Sequence, residues 1–170
     1  MIGADLREAA KRVLKLCRAR GLHVATAESC TGGLVAAALT EIPGSSDVFD
    51  CGFVTYSDEA KRAMLGVPAA TLKRYGAVSA QTAKAMAAGA LKNSRADLTV
   101  SITGIAGPGG GSKQKPVGLV YFAAASRDGR RIARKRLYGE IGRRRVRLRS
   151  VVEALALLQL LARKTRLEGS

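Results

Sequence analysis

Tryptophan is absent from this 170-residue chain, histidine occurs once, cysteine three times and proline four times. The single histidine, His23, leaves no His-based metal set. Cys17, Cys30 and Cys51 make neither an even disulfide complement nor a C-x-x-C pair. These shortages exclude a structural zinc module and a disulfide-stapled secreted scaffold. No apolar run approaches the ~18 residues of a membrane span, and charges recurring through positions 5 to 20 do not fit a signal peptide. Three phenylalanines and four tyrosines, scattered along the chain, give no stacking platform for single-stranded nucleic acid. Acidic side chains are scarce as well: 13 Asp and Glu stand against 29 Lys and Arg, a net charge of +16. That excess suits phosphorylated small molecules, nucleic acid or an anionic surface, and it is equally what arginines on solvated helix faces produce. The expectation is a reduced, cytoplasmic protein with no metal and no cofactor.

What is present is globular: 47% hydrophobic residues in a length that suits one domain over residues 1–170. Leu6, Ala9, Ala10, Val13 and Cys17 recur at helical spacing over 4–20 and stop at Gly21. "LHVATAE" (22–28) reads as a strand running into a helix from about Thr31 to Thr40, and "DCGFVTY" (50–56) as a second strand. Ser57 is placed to cap the helix that follows, with Asp58 and Glu59 in its first turn. A stripe of Ala83, Met86, Ala87, Ala90 and Leu91 predicts a helix over 79–93. "ADLTVSITG" (96–104) is a strand entering the glycine-rich loop "GIAGPGGGSKQKP" (104–116). Two further strands, 117–126 and 131–138, flank the turn "RDGR" as a hairpin. The last helix spans about 142–163, with Val151, Val152, Leu155, Leu158 and Ala162 facing inward. Alternating strands and helices with a late hairpin predict an α/β fold, a three-layer α/β/α sandwich on a mixed sheet of about five strands.

"ATAESCTGG" (25–33) places Ser29, Cys30 and Thr31 in a row at a strand-to-helix corner. Open α/β sheets bind ligands at that edge, and amides of Cys30 to Gly32 can receive an oxyanion or a phosphate there. Ser29 is a candidate nucleophile or simply a helix cap. His23 starts the strand that ends near Ser29, too far away to serve as its base. A lysine remains, as in Ser–Lys dyads. Lys61, early in a helix whose dipole disfavours a cation, is the candidate, with Tyr56 placed to relay the proton; a solvated surface lysine is the alternative. Thr103, Gly104, Gly107 and Gly109 to Gly111 present a bare backbone surface suited to phosphate or ribose. That loop is neither a P-loop nor a dinucleotide fingerprint. The cluster "GRRRVRLR" (142–149) offers one or two arginines to an anion.

Together "TAESCTGG", "GSSDVFDCGFVTYSDEAKRAMLGV", "GAVSAQTAKAMAAGAL" and "SITGIAGPGGGSKQKPVGLVYFA", in this order, resemble the CinA C-terminal domain family, the nicotinamide-nucleotide amidohydrolases. The resemblance covers nearly the whole chain and implies the stand-alone form. It implies deamidation of nicotinamide mononucleotide to nicotinate mononucleotide and ammonia, in pyridine nucleotide salvage, with no metal. Ser29 would be the nucleophile, Lys61 its general base and Tyr56 a helper. Thr103, Gly104, Gly107 and Pro108 would line the pocket with Ser46 close by, Arg143 and Arg147 would bind from the last helix, and Glu28 would face the pyridinium. A homodimer is implied, and specific nucleic-acid binding is not. The sequence departs from the family at Gly109, often Asp or Asn, and at Ile141-Gly142, where Gly-Asp is usual. The competing readings are a thiol enzyme using Cys30 and a non-enzymatic nucleotide or nucleic-acid binder.

Overall fold

The computed structural model describes residues 3–165. In chain order its elements are α1 (Ala4–Ala19), β1 (Val24–Glu28), α2 (Leu34–Thr40), a 3-10 turn (Ser45–Asp47), β2 (Phe49–Val54), α3 (Asp58–Leu65), α4 (Ala69–Tyr75), α5 (Ala80–Lys92), β3 (Leu98–Gly104), β4 (Leu119–Ser126), β5 (Arg131–Leu137) and α6 (Arg143–Lys164). The five strands form one mixed sheet in the order β2-β1-β3-β4-β5. β1 pairs parallel with both β2 and β3, whereas β3–β4 and β4–β5 are antiparallel. The carboxyl ends of β1, β2 and β3 therefore share one edge of the sheet.

Helices α1, α2 and α6 cover one face and α3, α4 and α5 the other, so the α/β sandwich of three layers is as expected. The central strands β1 and β3 are buried along nearly their whole lengths, and the polar side chains of β3 bond to neighbouring carbonyls. Thr99 and Ser101, for instance, donate to the Ala87 and Ala83 carbonyls of α5 at 2.8 and 2.6 Å. On α6, Val151, Leu155, Leu157, Leu158 and Leu161 are fully buried, each contributing about 1.5–3 kcal/mol. They fix the helix whose first turns carry Arg143 and Arg147. Among the described residues no helix is long and apolar enough to cross a membrane.

Three local expectations change. α2 begins at Leu34 rather than Thr31, because Gly32 and Gly33 adopt left-handed φ values of +60° and +96°. A seven-residue helix, α4, follows Pro68 in a stretch for which the sequence pattern predicts no element. Val152 is 47% exposed, since it lies one step around α6 from the stripe that Val151, Leu155 and Leu158 bury.

Candidate active site

Ser29 follows the last residue of β1, and its amide donates to the Ile102 carbonyl of β3 at 2.9 Å, which pins it at the shared carboxyl edge. The turn after it is shaped by Glu28. This carboxylate is fully buried and accepts from the amides of Gly33 (3.1 Å), Val35 (3.0 Å) and Ala36 (2.9 Å). Glu28 thus caps α2 from inside. Its carboxylate is taken up by these amides inside the protein, which corrects its expected role toward a pyridinium ring.

The expected oxyanion donors are also redistributed. Gly32 spends its amide on the Ser29 carbonyl at 2.9 Å. Among the described residues neither the Thr31 amide nor the Cys30 amide donates to another residue. The Thr31 side chain is fully buried.

Lys61 comes from α3, whose N-cap Ser57 accepts from the Ala60 amide at 3.0 Å as expected. Leaning back toward the helix start, the lysine is only 1% exposed. Its Nζ lies 3.1 Å from Ser29 Oγ, 2.9 Å from the Thr55 carbonyl and 3.4 Å from the Tyr56 carbonyl. Thr55 reaches this place because its amide bonds the Glu28 carbonyl at 2.9 Å, continuing the pairing beyond β2. Burial lowers the Lys61 pKa below the ordinary lysine value, against the opposing pull of Asp58 and Cys30. Cys30 is itself buried, and desolvation pushes its thiol up to about 12. A protonated thiol at neutral pH is a poor nucleophile, which weighs against the thiol reading.

Tyr56 is 59% exposed and joins Lys61 through its backbone carbonyl; its hydroxyl accepts instead from Arg143 Nη2 at 2.9 Å. Arg143 Nη1 also donates to the Gly107 carbonyl at 3.0 Å, so this first residue of α6 bridges the glycine-rich loop and Tyr56. One turn on, Arg147 donates from Nε to the Cys30 carbonyl (3.1 Å) and from Nη2 to the Thr31 carbonyl (3.0 Å). The altered residues Ile141-Gly142 therefore still deliver both arginines to the edge where Ser29 sits. Thr103 is buried and donates to the Ala77 carbonyl at 2.8 Å, tying the end of β3 to the α4–α5 connection. Gly104 ends β3, Gly107 is buried with a left-handed φ of +81°, and Pro108 and Gly109 are exposed.

Ser46 lies elsewhere. It sits exposed in the 3-10 turn that enters β2, at the amino-terminal edge of the parallel strands and beside Asp47, which pairs with Arg18 of α1. The length of the adjacent parallel strands β1 and β2 separates it from Ser29. Conversely, the carbonyls of Thr55 and Ile102 hold the Ser29–Lys61 pair in place and carry no side-chain signature that sequence reading can detect.

Against known families, residues 6–162 match the model of the CinA C-terminal domain. The chain is 52% identical over 138 residues to nicotinamide-nucleotide amidohydrolase PncC of Escherichia coli K12, covering 81% of this chain and 84% of that one. A CinA-like protein of Akkermansia muciniphila is 54% identical over 140 residues, 82% of this chain but 33% of its own length. The chain spans about a third of such longer relatives. Among solved structures, the competence/damage inducible protein CihA from Agrobacterium tumefaciens superposes with a TM-score of 0.94 at 55% identity, covering 95% of this chain and 98% of that one. A CinA-superfamily protein of Klebsiella pneumoniae gives 0.89 at 38% identity, over 94% and 99% of the two chains.

Proposed function

This chain belongs to the CinA C-terminal domain family, and from that premise we propose that it is a serine amidohydrolase acting on the carboxamide of nicotinamide mononucleotide, in pyridine nucleotide salvage. The observation that carries the mechanism is the buried contact between Lys61 Nζ and Ser29 Oγ at 3.1 Å. The substrate class is that of its relatives named nicotinamide-nucleotide amidohydrolase PncC.

The surroundings of Lys61 define the direction of proton flow. Carbonyl oxygens only accept hydrogen bonds. A neutral Lys61 amine therefore gives its two N–H groups to Thr55 and Tyr56, leaving its lone pair for the Ser29 hydroxyl. Ser29 donates its proton to Nζ as Oγ attacks the carboxamide carbon. Negative charge develops on the carboxamide oxygen, next to the Thr31 and Cys30 amides. The resulting lysinium passes the proton to the departing nitrogen and ammonia leaves, with the nicotinoyl group esterified to Ser29. Water then attacks that ester while Lys61 takes its proton, and nicotinate mononucleotide leaves with Ser29 restored. Arg143, exposed at the start of α6, contributes positive charge for the phosphate of the nucleotide.

Ammonia release from nicotinamide mononucleotide tests this directly. Wild-type turnover with none in Ser29→Ala is the expected result. Equal turnover in both would remove Ser29 from the chemistry, and no turnover in either would remove the substrate.

A further inference from the structure

The corner after Ser29 holds together without Arg147. Ser29 is bonded to Ile102, Gly32 closes the turn onto the Ser29 carbonyl, and the Glu28 carboxylate caps α2. Arg147 nevertheless reaches in from α6 and spends two donors on two consecutive peptide carbonyls, those of Cys30 and Thr31. The planar guanidinium fork suits such a pair of acceptors, and a lysine cannot reproduce it. Its Nη2 lies 3.3 Å from where a Cβ on Gly32 would stand, so the turn and the guanidinium are in direct contact.

The bonds connect to the amides of Cys30 and Thr31, which among the described residues have no other residue as acceptor. The Cys30–Thr31 peptide is trans, since the one cis peptide among the described residues is Gly107–Pro108. The Thr31 N–H therefore points opposite to the carbonyl that Arg147 Nε grips. The second bond acts through a relay. Arg147 Nη2 holds the Thr31 carbonyl, whose peptide ends in the Gly32 N–H. That N–H donates to the Ser29 carbonyl, whose peptide in turn ends in the Cys30 N–H. Hydrogen bonds in such chains polarise one another, and a cation at the head polarises most.

We propose that Arg147 is a positioning residue for the oxyanion site, holding and polarising the two peptides whose N–H groups receive the developing charge, that of Thr31 directly and that of Cys30 through Gly32. The proposal rests on the serine amidohydrolase reading for its substrate, but not for its test.

The experiment compares wild type, Arg147→Gln and Arg147→Lys in two assays. One is ammonia release from nicotinamide mononucleotide; the other is the rate at which a small alkyl fluorophosphonate labels Ser29, read by intact mass. The oxyanion exists only during reaction, so Arg147→Gln should lower kcat by about 10- to 100-fold, with KM moving less than about threefold. Labelling should slow in parallel, and Arg147→Lys should recover part of both rates. Unchanged kcat and labelling in Arg147→Gln, or a loss confined to KM, would overturn the role. Failure of wild type to label would overturn it too. Should wild type label but release no ammonia, the substrate reading falls while the labelling ratio still decides Arg147. If Arg147→Gln does not fold, Arg147→Lys carries the comparison. With the fork broken it must still label more slowly than wild type, and the Thr31 amide proton must shift upfield in its NMR spectrum; wild-type values for both would end the proposal.

Discussion

Lys61 Nζ and Ser29 Oγ, 32 residues apart in sequence, meet at 3.1 Å in a site where both residues are buried. Burial disfavours the charged amine, and its largest effect is to lower the Lys61 pKa. The catalytically useful form is the neutral one, so kcat/KM should rise with pH through an apparent pKa below the ordinary lysine value of ~10.4. Lys61→Arg, which cannot lose its proton, should be at least about 10³-fold slower at every pH. A profile flat from pH 6 to 10 in wild type would contradict Lys61 as the base.

The same shift has a stability consequence of fixed sign. Between the lowered folded-state pKa and the unfolded value, the unfolded chain binds more protons, so the Lys61 contribution to stability improves as pH rises through that window. Below the folded pKa the burial penalty is fully present. Relative to Lys61→Met, which cannot titrate, wild type should therefore gain stability as pH rises toward 10. Urea denaturation of both proteins at a series of pH values reads this difference. A gap that stays constant, or widens against wild type, would contradict the lowered pKa.

Cys30 sits beside the nucleophile but is held as a neutral thiol by its burial, with a pKa pushed up to about 12. Cys30→Ala should cost less than about tenfold in kcat, whereas Ser29→Ala should cost at least about 10³-fold. Comparable losses in the two variants would revive the thiol reading.

The parts of the fold that were legible in sequence are those whose pattern is local and long. The stripes on α1 and α5 are buried as read, and "RDGR" joins β4 to β5 as a hairpin. α4 was missed because seven residues span barely two helical turns, too few to establish a period. The start of α2 was misplaced because its cap comes from Glu28, a strand residue whose charge suggested a ligand rather than three backbone amides. Ser29 and Lys61 were legible as residue types, but their contact depends on β1 and β2 lying side by side. Ser46 was placed near the pocket by the resemblance alone; the parallel pairing of β1 and β2 puts it at the opposite edge from Ser29.

Glu28 supplies its own check. Removing the carboxylate in Glu28→Ala leaves the Gly33, Val35 and Ala36 amides without their acceptor. The expected cost is about 2–4 kcal/mol, a Tm drop of about 5–15 °C for a chain of this length. A variant with unchanged Tm and a raised KM would instead restore Glu28 to the ligand.

Gly89 tests the packing that supports Lys61. In a helix interior, replacing glycine by alanine normally stabilises by about 0.5–1 kcal/mol. Here a Cβ would fall 1.9 Å from the Leu65 carbonyl oxygen, a backbone atom at the end of α3 that cannot step aside as a side chain can. The contact should therefore outweigh propensity, and Gly89→Ala should destabilise by about 1–3 kcal/mol or more. Leu65 lies four residues beyond Lys61 on the same short helix, so displacement of α3 should also slow ammonia release. Gly109→Asp, at an exposed position with open space around its Cβ, is the matched control and should leave Tm within about 2 °C of wild type. Were Gly89→Ala as stable and as active as wild type, close approach of α3 to α5 would not be what places the lysine against Ser29, and the support would have to come from the Thr55 and Tyr56 carbonyls alone.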